Sequence, residues 1–97
     1  MNNQNQTQVQ IDVNVAKGVY SNMMEVKHST EEFCIDFFNI FPPVGAMVSR
    51  VIISPGHLKR MINALQGNLK KYEEKSGRVV EEAPEPEKPK IGFQPSN

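Results

Sequence analysis

The residue types best suited to acid–base chemistry lie together at residues 28–32, which read His-Ser-Thr-Glu-Glu. General acid–base catalysis uses imidazole and carboxylate side chains of this kind. The same residue types also build turns, because Ser and Thr hydroxyls bond to nearby backbone while Glu stays in water. We interpret the segment as a turn between two strands. His57, in the first turn of a predicted helix, is interpreted as a neutral surface residue, because positive charge is disfavoured there.

Cys34 is the only cysteine of the chain, so no internal disulfide can form. A reactive thiol needs an electropositive setting or a helix N-terminus. Cys34 lies within a predicted strand instead, and Asp36 on the same face works against thiolate formation. One thiol and two histidines make no zinc-ligand pattern, and the scattered glycines form no phosphate-binding loop. The sequence therefore predicts no catalytic residue, no metal, no cofactor and no small-molecule ligand, and we expect that the protein is not an enzyme.

Charged residues suggest two kinds of contact. Asp36 and Arg50 flank the predicted loop at residues 41–46 and should lie opposite each other, either as a cross-strand ion pair or as a polar contact point in an interface. Cations of the predicted helix lie off its apolar stripe and could contact phosphate groups. These candidate nucleic-acid contacts are Lys59, Arg60, Lys70 and Lys71. A charge run on an exposed helix is also typical of a solvated face, so both interpretations stay open.

The elements that must position these residues are four strands and one helix. Strand patterns occur at residues 9–15, where Val and Ile alternate with polar residues, and at residues 20–27, 33–41 and 48–53. Ser54 and Pro55 then predict a helix start, and Gly77 predicts its end. Between them the apolar residues recur at helical spacing along a single stripe.

This order predicts an α+β fold: a four-stranded antiparallel meander followed by one long C-terminal amphipathic helix packed on one sheet face. The domain is expected at residues 8–77, between a disordered polar arm at residues 1–7 and a disordered Pro/Glu/Lys-rich tail at residues 78–97. One helix cannot cover both faces of the sheet, so the pattern predicts a homodimer or a protein partner. Candidate interface residues are Phe38, Ile40, Phe41, Val44 and Arg50.

Length and charge exclude several classes of protein. A chain of 97 residues forms one small domain at most. Its eleven basic and eleven acidic residues cancel, so no attraction of the whole chain to nucleic acid or to anionic membrane is expected. No apolar run reaches the roughly 18 residues of a membrane span. The first residues carry no secretion signal, and together with the single thiol they predict a cytoplasmic protein.

The order of short motifs along the chain resembles one family. The motifs are Gly18-Val19-Tyr20-Ser21-Asn22, His28-Ser29, Glu32-Phe33, Asp36-Phe37, Ser49-Arg50-Val51, Ser54-Pro55, Lys59-Arg60, Leu65, Asn68 and Tyr72-Glu73. Together they resemble domain-of-unknown-function family 3467, a group of short prokaryotic proteins, over about residues 9–75. In Bacteroidota, proteins that look like this one are associated with RNA polymerase, as a core subunit that interacts with sigma factor. The sequence differs from that pattern at residues 23–25 and 42–44, which leaves open another host complex.

Two functions are therefore expected from the sequence. The first, implied by the resemblance, is a non-enzymatic accessory subunit of bacterial RNA polymerase with core polymerase and sigma factor as its partners. The alternative is a dimeric protein that binds single-stranded nucleic acid through the sheet face and the basic helix residues. That alternative needs Tyr20, Phe38 and Phe41 exposed, because aromatic side chains on a sheet stack against bases.

Overall fold

The computed structural model describes residues 6–86. Its elements, in chain order, are α1 (Val13–Lys17), β1 (Met23–His28), β2 (Phe33–Phe41), β3 (Val44–Ile53) and α2 (Pro55–Ser76). The strands form one antiparallel sheet in the order β1-β2-β3. The predicted α+β fold, with an antiparallel sheet and a C-terminal helix, is confirmed. The number of strands was wrong, because the sheet has three strands instead of four.

The first predicted strand, at residues 9–15, is absent. The segment has no regular structure up to Asp12, and α1 begins at the next residue, Val13. Asp12 caps this helix, since its carboxylate accepts a hydrogen bond from the backbone N–H of Asn14 at 2.8 Å. No described strand pairs with the segment, and its alternating Val and Ile side chains are 70–76% exposed. Alternation makes a strand only where a neighbour completes the ladder of hydrogen bonds and covers the apolar side.

The second predicted strand begins later than expected, at Met23. The two residues before it bond to β2 through their side chains. Ser21 Oγ donates to the carbonyl of Phe38 at 3.0 Å. The Asn22 amide donates to the carbonyl of Ile40 and accepts from its N–H, each at 2.9 Å. The Asn22 side chain therefore takes the place of a backbone partner at the end of the ladder.

The loop between β2 and β3 is shorter than predicted. Only Pro42 and Pro43, joined by a cis peptide bond, separate the strands, and β3 already begins at Val44. Gly45 lies opposite Ile40, and a Cβ at this position would be 2.6 Å from the Cδ1 of Ile40. A glycine therefore allows the Ile40 side chain to fold over the neighbouring strand.

The two faces of the sheet differ in charge. The strand register places every Asp, Glu, Lys and Arg of the three strands on one face, here called the charged face: Glu25, Lys27, Asp36 and Arg50. A buried cluster of Met23, Phe38 and Ile40 shares this face near the hairpin end. The other side is here called the uncharged face. Its residues are Met24, Val26, His28, Phe33, Ile35, Phe37, Asn39, Phe41, Val44, Ala46, Ser49, Val51 and Ile53.

α2 has the predicted ends. Ser54 Oγ accepts from the N–H of His57 at 3.1 Å, and Pro55 is the first helical residue. Gly77 ends the helix in the left-handed region, with φ of 72°. The prediction that this helix packs on one sheet face is wrong, because none of its 22 residues is buried.

The predicted arm and tail fall largely outside the described residues, at residues 1–5 and 87–97. Residues 78–86 contain neither helix nor strand. Their beginning is tied to α2, since the N–H of Val80 donates to the Glu73 carboxylate at 2.8 Å. The domain limits at residues 8 and 77 stay a prediction.

Candidate interaction surface

Residues 28–32 form the predicted turn. Ser29 Oγ accepts from the backbone N–H groups of Glu31 and Glu32, at 3.3 and 3.2 Å. The His28 ring lies against the ring of Phe33, with centroids 5.1 Å apart. His57 is exposed, and its Nδ1 lies 3.1 Å from a guanidinium nitrogen of Arg60. The two histidines and the backbone N–H groups of the turn glutamates therefore take part in local turn and helix contacts.

Asp36 is the one buried charged residue of the part of the chain described, with 2% of its surface exposed. The predicted ion pair with Arg50 is confirmed. Arg50 Nε donates to Oδ1 at 2.6 Å, and Nη2 donates to Oδ2 at 2.9 Å. Cys34 Sγ donates to the same Oδ1 at 3.5 Å, and Lys27 Nζ lies 3.7 Å from Oδ2. A two-pronged guanidinium contact of this kind fixes the geometry as well as the charge.

This arrangement keeps Asp36 ionised. The hydrogen bonds from Arg50 lower the pKa of Asp36 from 3.8 to about 2, against the opposing effect of burial. The same contact raises the pKa of Arg50. A carboxylate with so low a pKa is a poor base at neutral pH. The cluster therefore stabilises the sheet and leaves Arg50 engaged within the chain.

The predicted nucleic-acid contacts all lie exposed on α2. At 3.6 residues per turn, Lys59 and Lys70 fall on one line, and Arg60 and Lys71 fall on a second. Both lines are on the side of the helix opposite its apolar stripe, with Glu74 between them. The helix therefore separates its cations from its apolar residues.

The predicted interface residues differ in their exposure and in their contacts. Phe38 and Ile40 are buried in the core cluster, so this fold does not expose them, and their assignment as contacts stays a prediction. Arg50 is held by Asp36. Phe41 and Val44 face each other at the hairpin end, where they are 64% and 70% exposed. The interface prediction stays open for Phe41 and Val44.

One exposed apolar surface, on α2, was not foreseen from the sequence. It is the stripe of α2, here called the α2 stripe: Leu58, Met61, Ile62, Leu65, Leu69 and Tyr72. Its first two residues, next to β3, are half-buried, and the other four are 45–66% exposed. One signal in the sequence could have indicated this exposure: a single residue, Ser54, separates the predicted strand from the predicted helix. This residue is extended, with φ of −74° and ψ of 156°, and the helix after it makes few close contacts with the sheet.

Other kinds of site find no support in the described chain. Within residues 6–86, no three His, Cys, Asp or Glu side chains are placed to hold a metal ion. No helix in the same residues is long and apolar enough to cross a membrane.

Comparison with known proteins found one relationship. Residues 1–81 match the model of a family described as protein of unknown function (DUF3467). Neither the curated proteins nor the solved structures contain a match. The matched region includes the whole sheet and all of α2.

Proposed function

Starting from the fact that the chain belongs to family DUF3467, we propose that it is a non-enzymatic accessory subunit of bacterial RNA polymerase that contacts the core enzyme and a sigma factor. The host complex comes from the resemblance of the sequence. The observation that supports a binding role is the amount of exposed apolar side chain on so small a fold. Contiguous apolar patches beyond a few hundred Å² mark interaction sites on soluble proteins.

The hairpin end is the proposed contact with polymerase. Phe41 and Val44 project beside Pro42 and Pro43, and the buried cluster behind them holds this end of the sheet in place. Full burial of a Phe or Val side chain stabilises a complex by about 1.5–3 kcal/mol. Two such side chains on a short, fixed turn are sufficient for a small hot spot.

Co-purification from the native host tests this proposal. A tagged full-length chain should bring down core polymerase subunits and sigma factor in stoichiometric amounts, identified by mass spectrometry. The double substitution Phe41→Ser/Val44→Ser should lose them. A matched control, Val79→Ser/Val80→Ser, removes exposed apolar side chains outside the sheet and should retain them. Repeated absence of polymerase subunits from the wild-type eluate would refute the proposal.

Binding of single-stranded nucleic acid is the second candidate. The cations on the outer side of α2 favour it, because they are exposed and lie on the same side of the helix. Burial of Phe38 removes one of the aromatic residues that this function would use. The measurement is oligonucleotide binding as a function of salt. Tight binding at low salt that weakens steeply with added salt supports this candidate, and no binding at low salt excludes it.

A further inference from the structure

The α2 stripe and the uncharged face of the sheet are two open apolar surfaces on one chain. We propose that they cover each other between two copies. In this homodimer, α2 of each copy lies across the uncharged face of its partner, and the exchange is reciprocal. The proposal goes beyond the polymerase contact, which uses Phe41 and Val44 at the hairpin end of the same face.

The uncharged face needs a cover that its own helix does not supply. Ile35 and Ile53 are buried at its centre, but Met24, Val26 and Val51 around them stay 38–50% exposed. Along α2, exposure is lowest at Leu58 and Met61, next to β3, and higher at every later position of the α2 stripe. The helix therefore leaves its own sheet after the first turns. Its far half is free to reach another molecule.

The two surfaces match in chemistry. The α2 stripe contains no charged residue, and the uncharged face contains no Asp, Glu, Lys or Arg. Contact between them would therefore bury no charge, which is the costly event in forming an interface. The cations of α2 lie on its opposite side and would remain in water. The net charge of the chain is zero, so two copies do not repel each other.

The two surfaces also match in length. From Leu58 to Tyr72 the helix rises by about 21 Å, at 1.5 Å per residue. Along the central strand, the uncharged face extends from Phe33 to Phe41, about 27 Å at 3.4 Å per residue. The α2 stripe therefore fits within the length of the face.

The apolar area that a second copy would bury is comparable with that of a standard interface. Full burial of a large aliphatic side chain removes roughly 60–120 Å² of apolar surface. About half of that remains to be buried at each exposed position, so the α2 stripe and the uncharged face together would lose on the order of 400 Å² per copy. A standard interface buries about 800 Å² on each partner, of which roughly 60% is apolar. Because the exchange is reciprocal, the copy that receives a helix places its own helix on the same partner, so the assembly closes at two.

The mass of the purified full chain in solution is the first test. Light scattering or sedimentation should give twice the chain mass of 10.9 kDa. Leu65→Gln/Leu69→Gln should weaken self-association at least about tenfold, since both side chains would face the partner. Lys59→Gln/Lys70→Gln, on the opposite side of α2, should leave it unchanged. A wild-type mass of 10.9 kDa at the highest soluble concentration overturns the proposal, and so does a stripe variant that dimerises like wild type.

Disulfide trapping tests the geometry and keeps α2 almost intact. In a Cys34→Ser background, one tagged copy carries Val26→Cys or Val51→Cys on the uncharged face, and a differently tagged copy carries Leu65→Cys. Mixed disulfide dimers should form with at least one of the two face positions. The matched control, Glu25→Cys, is next to Val26 but lies on the charged face, and it should not trap Leu65→Cys. If Leu65→Cys links only to itself, the helices pack on each other and the proposed arrangement is wrong.

Failure of this inference and failure of the proposed function are distinguishable. Self-association is measured on purified protein without polymerase, whereas the host complex is measured by co-purification with hairpin variants. A chain that dimerises but captures no polymerase supports only the exchange of helices. A chain that captures polymerase as a monomer supports only the accessory role.

Discussion

Asp36 and Arg50 face each other on neighbouring strands of the sheet, and the guanidinium of Arg50 holds both carboxylate oxygens at 2.6 and 2.9 Å. The carboxylate is buried, while the arginine side chain is nearly half exposed. Loss of Arg50 therefore leaves a buried charge with only the Cys34 thiol at 3.5 Å and Lys27 at 3.7 Å, whereas loss of the carboxylate leaves a cation that water can solvate.

We expect Arg50→Ala to lower the melting temperature more than Asp36→Asn does. The double variant Asp36→Asn/Arg50→Gln should recover part of the loss, because it leaves no buried charge without a partner. Thermal unfolding followed by circular dichroism measures the melting temperatures of wild type and the three variants. Equal losses in both single variants would show that Asp36 is solvated when Arg50 is absent.

The lowered pKa of Asp36 predicts a dependence of stability on acid. In the unfolded chain this carboxyl titrates near pH 4, and in the fold its pKa is about 2. The folded state therefore binds the proton more weakly, so the stabilisation is fully present above about pH 4 and is lost as the pH falls towards 2. Melting temperatures measured from pH 5 to pH 2 should fall more steeply for wild type than for Asp36→Asn. An equal fall of the melting temperature in both proteins would contradict the lowered pKa of Asp36.

Gly67→Ala should stabilise the protein. Gly67 lies inside α2 on the side away from the α2 stripe, and a Cβ there meets nothing within 4 Å. Alanine in a helix interior is favoured over glycine by about 1 kcal/mol. The free energy of unfolding from urea denaturation should rise by roughly that amount. Gly77→Ala is the contrasting control and should destabilise, since Gly77 has φ of 72°.

Gly45→Ala should destabilise the hairpin end. The new Cβ would lie 2.6 Å from the Cδ1 of Ile40, and overpacking of this kind costs about 1–3 kcal/mol. Ile40→Val deletes that methyl group and costs about 0.5–1.5 kcal/mol alone. The double variant should therefore be more stable than the sum of the single losses predicts. Strict additivity in urea denaturation would show that the two positions do not touch.

Asn22→Ala should weaken the start of β1. The Asn22 amide satisfies both the N–H and the carbonyl of Ile40, so its loss leaves two partly buried backbone groups without this partner. Loss of a hydrogen-bond partner for a buried group lowers the free energy of unfolding by about 1–3 kcal/mol. Asn68→Ala is the matched control, because its amide bonds only to an exposed carbonyl of the same helix. Hydrogen exchange of the Ile40 amide should become faster in Asn22→Ala alone.

Local signals in the sequence were sufficient for the parts of the fold that depend on neighbouring residues. The Ser54 cap, the adjacent Pro55 and the final Gly77 defined α2, because each acts on backbone groups within one helical turn. Spacing around a short loop also predicted the Asp36–Arg50 pair, since an antiparallel hairpin places such residues opposite each other.

Two features depended on contacts between distant parts of the chain. The alternating segment at residues 9–15 has no strand beside it, so its pattern does not become a strand. Phe38, Ile40 and Phe41 lie in the same apolar stretch of the sequence, but the fold buries Phe38 and Ile40 and exposes Phe41.

The spacing of apolar residues shows which side of a helix is apolar, but it does not show which part of the protein that side contacts. The sequence by itself determined the helix, its ends, the three paired strands and the excess of apolar surface, because these follow from local geometry and composition. Only the tertiary structure decided that α2 leaves its own sheet and that one face of the sheet carries no charge, because direction and register depend on how distant segments meet.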